Sequence, residues 1–360
     1  MKRIAILTGG GDAPGLNAVI RSVVKTVKNL CECEILGIKN GFEGILDDEG
    51  IFPLTREEVR GILHRGGTIL GAANRGNPFA RKIVRDGEDV VEDISQQIID
   101  KLDSLGLDVL IIVGGGGTLR IASELLDLGV PVIGVPKTID NDIGGTEYSF
   151  GFDTAVSIAS EAFDRLHTTA ESHHRVMALE LMGKNAGFIA LHAGLAGGAD
   201  VILIPEIPFH FESIVERVRE RVEVGSHFSI IAVAEGASPV GEDQVFMYRG
   251  DELITARLGG IGAVVANHLA EKYGLESRFT VLGHLQRGGS PTAFDRWLAT
   301  SYGAAAADLA VVGRIGRMIA LKCGQIVDVN LGDAVAVHKR VDVYGDTVRA
   351  ARCLGISFGD

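Results

Sequence analysis

Two carboxylates, Asp140 and Asp142, stand one residue apart in the segment Pro136–Asp142, directly after the apolar run Val130–Val135. The run predicts a short buried strand, and open α/β sheets bind their ligands at the carboxyl ends of such strands. A carboxylate there can take a proton from a hydroxyl, while a second one can hold a metal ion. The segment therefore indicates either general-base chemistry or a plain acidic loop between a strand and a helix.

Four other turns follow predicted strands and are rich in glycine or polar side chains, at residues 9–17, 114–118, 182–187 and 283–289. Turns of this kind let backbone N–H groups approach an anion, although each one alone is equally explained by packing. Because carboxyl ends of parallel strands gather at one edge of a sheet, the turns should surround residues 136–142. Together they favour a phosphorylated substrate. Their spacing fits neither the dinucleotide fingerprint nor the P-loop.

Four basic side chains are candidates for a clamp on a phosphate monoester: Arg175, Arg278, His284 and Arg287. The arginine fork binds phosphate through two parallel hydrogen bonds, whereas a lone arginine is more often part of a surface ion pair. We expect a strand at residues 280–289 to deliver His284 and Arg287 to its end.

Strand–turn–helix units repeat through the first half of the chain, which predicts a doubly wound, largely parallel sheet. We expect helices at residues 55–63 and 119–128. The last ~45 residues are less periodic and are expected to wrap the surface.

The composition of the chain limits the classes of molecule that it is expected to bind. The 360 residues carry a net charge of −12, which argues against nucleic acid or an anionic membrane as the main partner. No apolar stretch reaches the ~18 residues that would span a membrane. The start, Met1–Leu7, reads as a first strand rather than a signal peptide. Four cysteines without metal-ligand spacing fit a reducing compartment, and we expect a cytoplasmic protein.

In combination, four motifs resemble those of the 6-phosphofructokinase family: Gly-Gly-Asp-Ala-Pro-Gly-Leu-Asn at 10–17, Pro-Lys-Thr-Ile-Asp-Asn-Asp at 136–142, Met-Gly-Lys at 182–184 and Leu-Gly-His-Leu-Gln-Arg-Gly-Gly at 282–289. The resemblance implies an α/β fold of two doubly wound, largely parallel-sheet lobes, Rossmann-like and three-layered. Residues 1–150 would form the larger, donor-binding lobe, and 151–315 the smaller, sugar-phosphate lobe. The chain would re-enter the larger lobe near 265–315, leaving 316–360 as a C-terminal surface segment.

The resemblance also implies Mg²⁺-dependent phosphoryl transfer from ATP to the 1-hydroxyl of fructose 6-phosphate in glycolysis. It implies a homotetramer that shares its sugar-phosphate sites between subunits. Asp140 would be the general base, acting with Thr138 and Lys184. The residues expected to bind the sugar phosphate are Thr138, Asp140, Asp142, Arg175, Met182, Gly183, Lys184, Glu235, Arg278, His284 and Arg287. Those expected to bind the phosphoryl donor are Gly11, Arg75, Gly114, Gly115, Gly116, Gly117 and Thr118.

The chain departs from the family pattern at three places. Gly116 stands where the family usually has a metal-associated Asp, so Mg²⁺ would depend on Asp142, water and donor phosphates. Gly117 is typical of ATP users, whereas Lys137 is typical of pyrophosphate users and of a clade that uses either donor. Lys184 stands where many relatives have Arg, so the positive charge stays while the bidentate contact is lost.

ATP is the favoured donor, and two alternatives stay open. One is a pyrophosphate-dependent enzyme. The other is a catalytically weakened paralogue that binds the sugar phosphate, which the glycine at position 116 motivates.

Overall fold

The computed structural model describes residues 2–73, 76–85, 88–248 and 257–360. Within these ranges the strands are, in chain order, β1 (Arg3–Thr8), β2 (Glu34–Ile38), β3 (Ile51–Pro53), β4 (Arg81–Arg85), β5 (Glu88–Glu92), β6 (Val109–Gly114), β7 (Val132–Thr138), β8 (Phe150–Gly151), β9 (Val176–Leu181), β10 (Val201–Leu203), β11 (Ser229–Ala234), β12 (Phe246–Tyr248), β13 (Arg257–Leu258), β14 (Ser277–Val281), β15 (Arg317–Lys322) and β16 (Gln325–Asn330). The α-helices are α1 (Leu16–Leu30), α2 (Ser95–Ser104), α3 (Gly116–Asp127), α4 (Phe152–His173), α5 (Phe188–Ala196), α6 (Phe211–Glu223), α7 (Ile261–Tyr273), α8 (Ala293–Val312), α9 (Leu331–Ala336) and α10 (Asp346–Cys353).

The chain divides into two compact units, each built from three separate stretches of the sequence. Unit 1 consists of residues 1–138, 142–153 and 287–338, and unit 2 consists of residues 139–141, 154–286 and 339–360. Each unit therefore combines distant parts of the sequence, and the segment 136–142 contributes residues to both.

Unit 1 is built on an eight-stranded sheet with the order β16-β15-β7-β6-β1-β2-β3, in which β8 also pairs with β7. Its central strands β1, β6 and β7 are parallel. Side chains alternate between the faces of a strand. Accordingly, Ile4 and Ile6 join the core on the α1 and α8 side, whereas Ala5 and Leu7 join the core that contains residues of α2, α3 and α9. Helices thus cover both faces, as the doubly wound pattern predicts.

Small residues allow α1 to pack closely in unit 1. Gly15, the N-cap of α1, has φ = 111°, and a Cβ there would lie 2.7 Å from a ring carbon of Phe150. Gly303 of α8 faces α1, because a Cβ on it would lie 2.7 Å from the Val19 carbonyl oxygen. Glycine is therefore needed at 15 for both its backbone conformation and its close contact.

Unit 2 contains a parallel four-stranded sheet with the order β10-β11-β9-β14. Ile231 and Val233 of β11 pack against apolar residues of α6 and α7, which form one core. The edge strand β14 differs from the others, because four of its five residues are exposed.

Several predicted elements differ from the structure. Residues 56–61 form successive turns rather than a helix, and the Glu58 carboxylate folds back to accept a hydrogen bond from the Thr55 N–H at 2.9 Å. Helix α3 begins at Gly116 instead of 119, since the glycines that suggested a loop form its first turn. The strand predicted at 280–289 was also wrong over most of its length: β14 ends at Val281, and residues 283–287 form a 3₁₀ turn.

The C-terminal residues are not all at the surface. Strand β15 pairs with β7 in the main sheet, and its residues Met318, Ile319 and Ala320 are buried. The expectation of a surface segment over 316–360 was therefore wrong for β15, whose apolar side chains complete the core of unit 1. The assignment of donor and sugar phosphate to separate lobes stays a prediction.

Two further features bear on the expected environment of the protein. Cys31 and Cys33 form a disulfide, which differs from the reduced state expected for them. Among the described residues, no α-helix has the length and apolar character needed to cross a bilayer.

Candidate active site

The glycine-rich turns at 9–17 and 114–118 of unit 1 meet at Thr118. A Cβ on Gly9 would lie 2.6 Å from the Thr118 methyl carbon, and one on Gly114 would also clash with that side chain. Gly9 and Gly114 therefore allow two strand ends to close on one buried threonine. Sequence reasoning assigned Gly114 and Thr118 to the donor, and this packing contact supplies a second reason for their residue types.

Gly116 and Gly117 occupy a different environment. Apart from the adjacent residues and the backbone of α3 itself, no atom of the described residues lies within 4 Å of a Cβ built on either glycine, and neither has a positive φ. Both belong to the first turn of α3, which has Gly115 as its N-cap and no acidic residue in that turn. The first N–H groups of a helix have no partner within the helix and favour anions. This helix end can therefore accept a phosphate group.

Lys137 connects β7 to the first glycine-rich turn. Its side chain is buried, and its Nζ donates a hydrogen bond to the carbonyl oxygen of Gly11. A Cβ built on Gly10 would lie 3.7 Å from the same Nζ and 3.2 Å from the Thr118 hydroxyl. Gly11, Thr118 and Lys137 thus lie together, as the donor prediction requires. Arg75, the remaining predicted donor residue, lies outside the described residues.

The segment that carries the two carboxylates bends sharply after β7. Asn141 has φ = 55°, a left-handed conformation that asparagine tolerates better than most residues. The Ser149 hydroxyl donates to the carbonyl oxygen of Thr138 at 2.8 Å and fixes the end of the strand. In unit 1, Asp142 lies near His338, with 3.7 Å between Oδ2 and Nδ1. Sequence reasoning missed His338 because it belongs to the segment expected at the surface.

In unit 2, the carboxylate of Asp140 lies beside the ammonium group of Lys184, which is expected to act with it in catalysis. The Asp140 side chain is buried, and its Oδ2 is 4.0 Å from Nζ of Lys184. Lys184 follows β9 with φ = 50°, and its side chain is 63% exposed. A buried carboxylate is therefore neighboured by a lysine that solvent and a ligand can both reach.

Glu235 holds the backbone of the same turn. Its Oε1 accepts hydrogen bonds from the N–H groups of Lys184 at 3.0 Å and Gly183 at 3.3 Å. Burial raises the pKa of Glu235, and the charge of Asp140 raises it further, while the two N–H groups oppose the shift. The structure thus brings Gly183, Lys184, Glu235 and Asp140 together, as predicted. Met182 precedes them, directly after β9.

The four basic candidates for the phosphate clamp have different surroundings. In unit 2, Arg175 and Arg278 both pair with Glu276, at 2.7 and 3.4 Å, so they lie side by side. His284 is exposed on the 3₁₀ turn. Arg287 belongs to unit 1, where its Nη1 donates to the Asp12 carbonyl oxygen at 3.0 Å.

Mg²⁺ was expected to depend on Asp142 and donor phosphates. Within the described ranges, no group of three or more His, Cys, Asp or Glu side chains is arranged to hold a metal ion. The residues present fit a Mg²⁺ ion that takes one carboxylate from Asp142 and its other ligands from phosphate and water, a common arrangement for this ion.

Comparisons with known proteins identify the family to which the chain belongs. The family model described as "Phosphofructokinase" matches residues 3–310. An ATP-dependent 6-phosphofructokinase of Chloroflexus aurantiacus is 53% identical over 359 residues, which cover 100% of this chain and 98% of that protein. A pyrophosphate–fructose 6-phosphate 1-phosphotransferase of Amycolatopsis mediterranei is 51% identical, over 95% of this chain and 96% of that protein.

Among solved structures, the phosphofructokinase of Saccharomyces cerevisiae matches with a TM-score of 0.78 and 29% identity, over 93% of this chain and 45% of that chain. The match to the yeast protein agrees with the two α/β units described above. With the family model spanning most of the sequence, the chain belongs to the phosphofructokinase family.

Proposed function

We propose that the protein is an ATP-dependent 6-phosphofructokinase, which transfers a phosphoryl group from ATP to the 1-hydroxyl of fructose 6-phosphate in glycolysis. The observation that carries this proposal is the pair formed by the buried Asp140 carboxylate and the Lys184 ammonium, 4.0 Å apart. A base and a cation at this distance suit the removal of a proton from a hydroxyl and the transfer of a charged group to it.

In the proposed mechanism, Asp140 accepts the proton of the sugar 1-hydroxyl as the hydroxyl oxygen attacks the γ-phosphorus of ATP, and the bond from that phosphorus to the bridging oxygen breaks and releases ADP. Lys184 offsets negative charge that develops on the transferring group, and the Thr138 hydroxyl orients that group. The transition state of phosphoryl transfer is loose, so positioning and positive charge contribute more than covalent help. When bound, Mg²⁺ supplies charge neutralisation on the donor phosphates, and Asp142 is the carboxylate that would hold it.

The acceptor is proposed to bind through the loop after β9 and the basic residues near β14. Glu235 already holds the Gly183 and Lys184 N–H groups through Oε1, which leaves Oε2 for a sugar hydroxyl. Asp140, Asp142, Met182, Gly183 and Lys184 complete this side of the sugar. We assign the 6-phosphate to His284 and Arg287, with Arg175 and Arg278 of a neighbouring subunit.

The donor is proposed to bind at Gly11, Arg75 and residues 114–118. Open space at Gly116 and Gly117 leaves room for the inner phosphates of a nucleotide beside the positive end of α3. Relatives named for ATP and for pyrophosphate have similar identities to this chain, at 53% and 51%. The identities therefore do not separate the donors, and the room at Gly117 is the reason for proposing ATP.

A pyrophosphate-dependent enzyme is the second candidate, and the position of Lys137 favours it. The Lys137 Nζ reaches the Gly11 carbonyl, in the turn assigned to the donor phosphates. A positive charge at this place can offset charge on a small donor that lacks a nucleoside.

A homotetramer is proposed from the exposed apolar side chains around the edge strand of unit 2. Phe279 and Val281 of β14 are 45% and 48% exposed, and Leu285 is 68% exposed. An exposed strand edge with apolar side chains favours contact with another chain. Arg175 and Arg278 lie in the same part of unit 2, so such a contact would carry them to a neighbour's sugar-phosphate site.

We further propose cytoplasmic localisation, where both substrates of the proposed reaction are available.

A donor panel tests the proposal. Purified protein is assayed with fructose 6-phosphate and Mg²⁺ against ATP, other nucleotides and pyrophosphate, with production of fructose 1,6-bisphosphate as the readout. ATP-dependent turnover is expected. Turnover with pyrophosphate and none with ATP would select the second candidate. No turnover with any donor, together with binding of fructose 6-phosphate by calorimetry, would instead identify a weakened paralogue.

A further inference from the structure

Glu206 is an acidic residue that the predicted active site does not include. It follows β10, and its two carboxylate oxygens each accept a hydrogen bond from the Gly187 N–H at 3.1 Å. Its Oε1 also accepts from the Val341 N–H at 2.9 Å. A single carboxylate therefore joins two backbone segments of unit 2 that are far apart in sequence.

The first of these segments is the end of the loop that carries Lys184. Gly187 is the N-cap of α5, and a Cβ on it would lie 2.8 Å from Oε2 of Glu206 and closer still to Ile204. Glycine therefore permits the close approach of the carboxylate to the positive end of the helix. The other end of the loop is held by Glu235 through Gly183 and Lys184. Two carboxylates thus fix the loop, one at each end.

The loop needs such support because of its backbone conformation. Lys184 has φ = 50°, which a non-glycine residue adopts at a cost in free energy, whereas Gly183, with φ = 145°, reaches its conformation because it has no Cβ. Contacts around the loop must hold it there for the Lys184 ammonium to stay near Asp140.

The second segment held by Glu206 belongs to the C-terminal part of the chain. Besides the Val341 N–H on Glu206, Lys339 contacts the first residue of α5, with its Nζ 5.1 Å from the centre of the Phe188 ring. Residues 339–341 therefore contact both the start of α5 and the carboxylate that caps it.

We propose that Glu206 is a positioning residue for the sugar-phosphate acceptor. It ties residues 339–341 to Gly187 and keeps the loop 182–187, with Lys184, in its binding conformation. This inference rests on the proposed function, because it assigns the loop to the acceptor. Among the described residues, the hydrogen-bond partners of Glu206 are Gly187 and Val341 of unit 2, so we expect donor binding at the turns of unit 1 to be unaffected.

Glu206→Gln is the test variant, since it keeps the size of the side chain but replaces one acceptor oxygen with an amide group that faces an N–H. The KM for fructose 6-phosphate should rise about tenfold and kcat should fall, because Lys184 is displaced together with the loop, while the KM for the donor stays within about threefold. Glu216→Gln on the exposed face of α6 is the matched control and should leave all three unchanged. Val341→Pro removes the N–H that Glu206 accepts from the C-terminal segment, and it should raise the same KM by a smaller factor.

Amide hydrogen exchange at residues 183–187 gives a readout that does not depend on turnover. Faster exchange there in Glu206→Gln, with unchanged exchange in β11, is expected. An unchanged KM for fructose 6-phosphate, or unchanged exchange in the loop, would overturn the inference. If the wild-type protein fails to use fructose 6-phosphate at all, the proposed function fails, and the exchange measurement still decides whether Glu206 holds the loop.

Discussion

The ammonium group of Lys184 lies 4.0 Å from the carboxylate of Asp140, yet the lysine side chain is mostly exposed and the aspartate is buried. The buried group is thus held in a fixed place, while the exposed group can turn towards a ligand. This asymmetry agrees with the roles proposed for them, because a base must be positioned before the reaction and a charge partner can follow the transferring group.

Asp140→Asn should remove the base and keep the shape of the side chain. We expect kcat to fall by about 10²–10⁴-fold, because this is the usual contribution of general-base catalysis. Steady-state kinetics give kcat, and calorimetry should show that fructose 6-phosphate still binds. Asp140→Ser should behave alike. A variant that keeps the wild-type rate would rule out Asp140 as the base.

Lys184→Met should remove the positive charge and retain most of the apolar stem. A loss of about 10²-fold in kcat/KM is expected, as for other preorganised groups that stabilise transition-state charge. Lys184→Arg is the matched control, because it keeps the charge at the same backbone conformation. Equal losses in both variants would indicate that the shape of the lysine side chain, and not its positive charge, is what the site requires.

Gly116→Asp should be accepted without rearrangement, because the structure leaves open space around a Cβ at this position. A carboxylate in the first turn of α3 should raise the free energy of unfolding by about 0.3–1 kcal/mol. It should also lower the Mg²⁺ concentration needed for half-maximal rate, since it adds a second carboxylate near the donor phosphates. Thermal unfolding and a Mg²⁺ titration measure the two effects, with Gly116→Asn as the uncharged control. A higher Mg²⁺ requirement would count against a metal role for this position.

Lys137→Met should change the choice of donor. The variant removes the charge that reaches Gly11, so we expect the ratio of kcat/KM for pyrophosphate to that for ATP to fall about tenfold, the value of one charge-assisted hydrogen bond. Both donors are measured on the same preparation. An unchanged ratio would show that Lys137 does not influence the choice between pyrophosphate and ATP.

Glu235→Gln should make stability less dependent on pH. The pKa of Glu235 is raised above its ordinary value of 4.5, so its contribution to stability is fully present below that value and is lost as the pH rises through the raised pKa. Glutamine can keep both hydrogen bonds, because they share one oxygen, Oε1. The melting temperature of the variant minus that of the wild type should therefore increase as the pH rises. A constant difference at every pH would contradict a raised pKa.

The turns at 9–17 and 114–118 could be located from the sequence because each follows a buried strand of mainly apolar residues, β1 or β6. The turn at 283–289 follows β14, which contains polar residues and is mostly exposed. The ends of α5 at Phe188 and Ala196 can also be located from the sequence, because a glycine stands directly before and directly after the helix. The start of α3 was harder to predict. Glycine at position 116 suggests a loop, but Gly115 is the N-cap and the helix begins at Gly116.

Other features depend on contacts between distant residues, which a pattern does not contain. Glu206 is a carboxylate at a strand end, and that signal was available, but its partner Val341 is 135 residues away. The place of β15 beside β7 likewise follows from long-range pairing, because its own apolar run is short. Residues 55–61 carry the start signals of a helix, but Glu58 bonds back to Thr55 and the turns do not continue.

The pairing of β15 with Ile133 and Gly134 of β7 also has a consequence for biosynthesis. Until Lys322 leaves the ribosome, one edge of β7 has no partner at these residues. At about 5–20 residues per second, the chain from Thr138 to Lys322 takes roughly 10–40 s to make. During that interval the nascent sheet exposes an apolar edge to other chains. Slower translation of this stretch, or a chain truncated before β15, should therefore favour aggregation and chaperone binding.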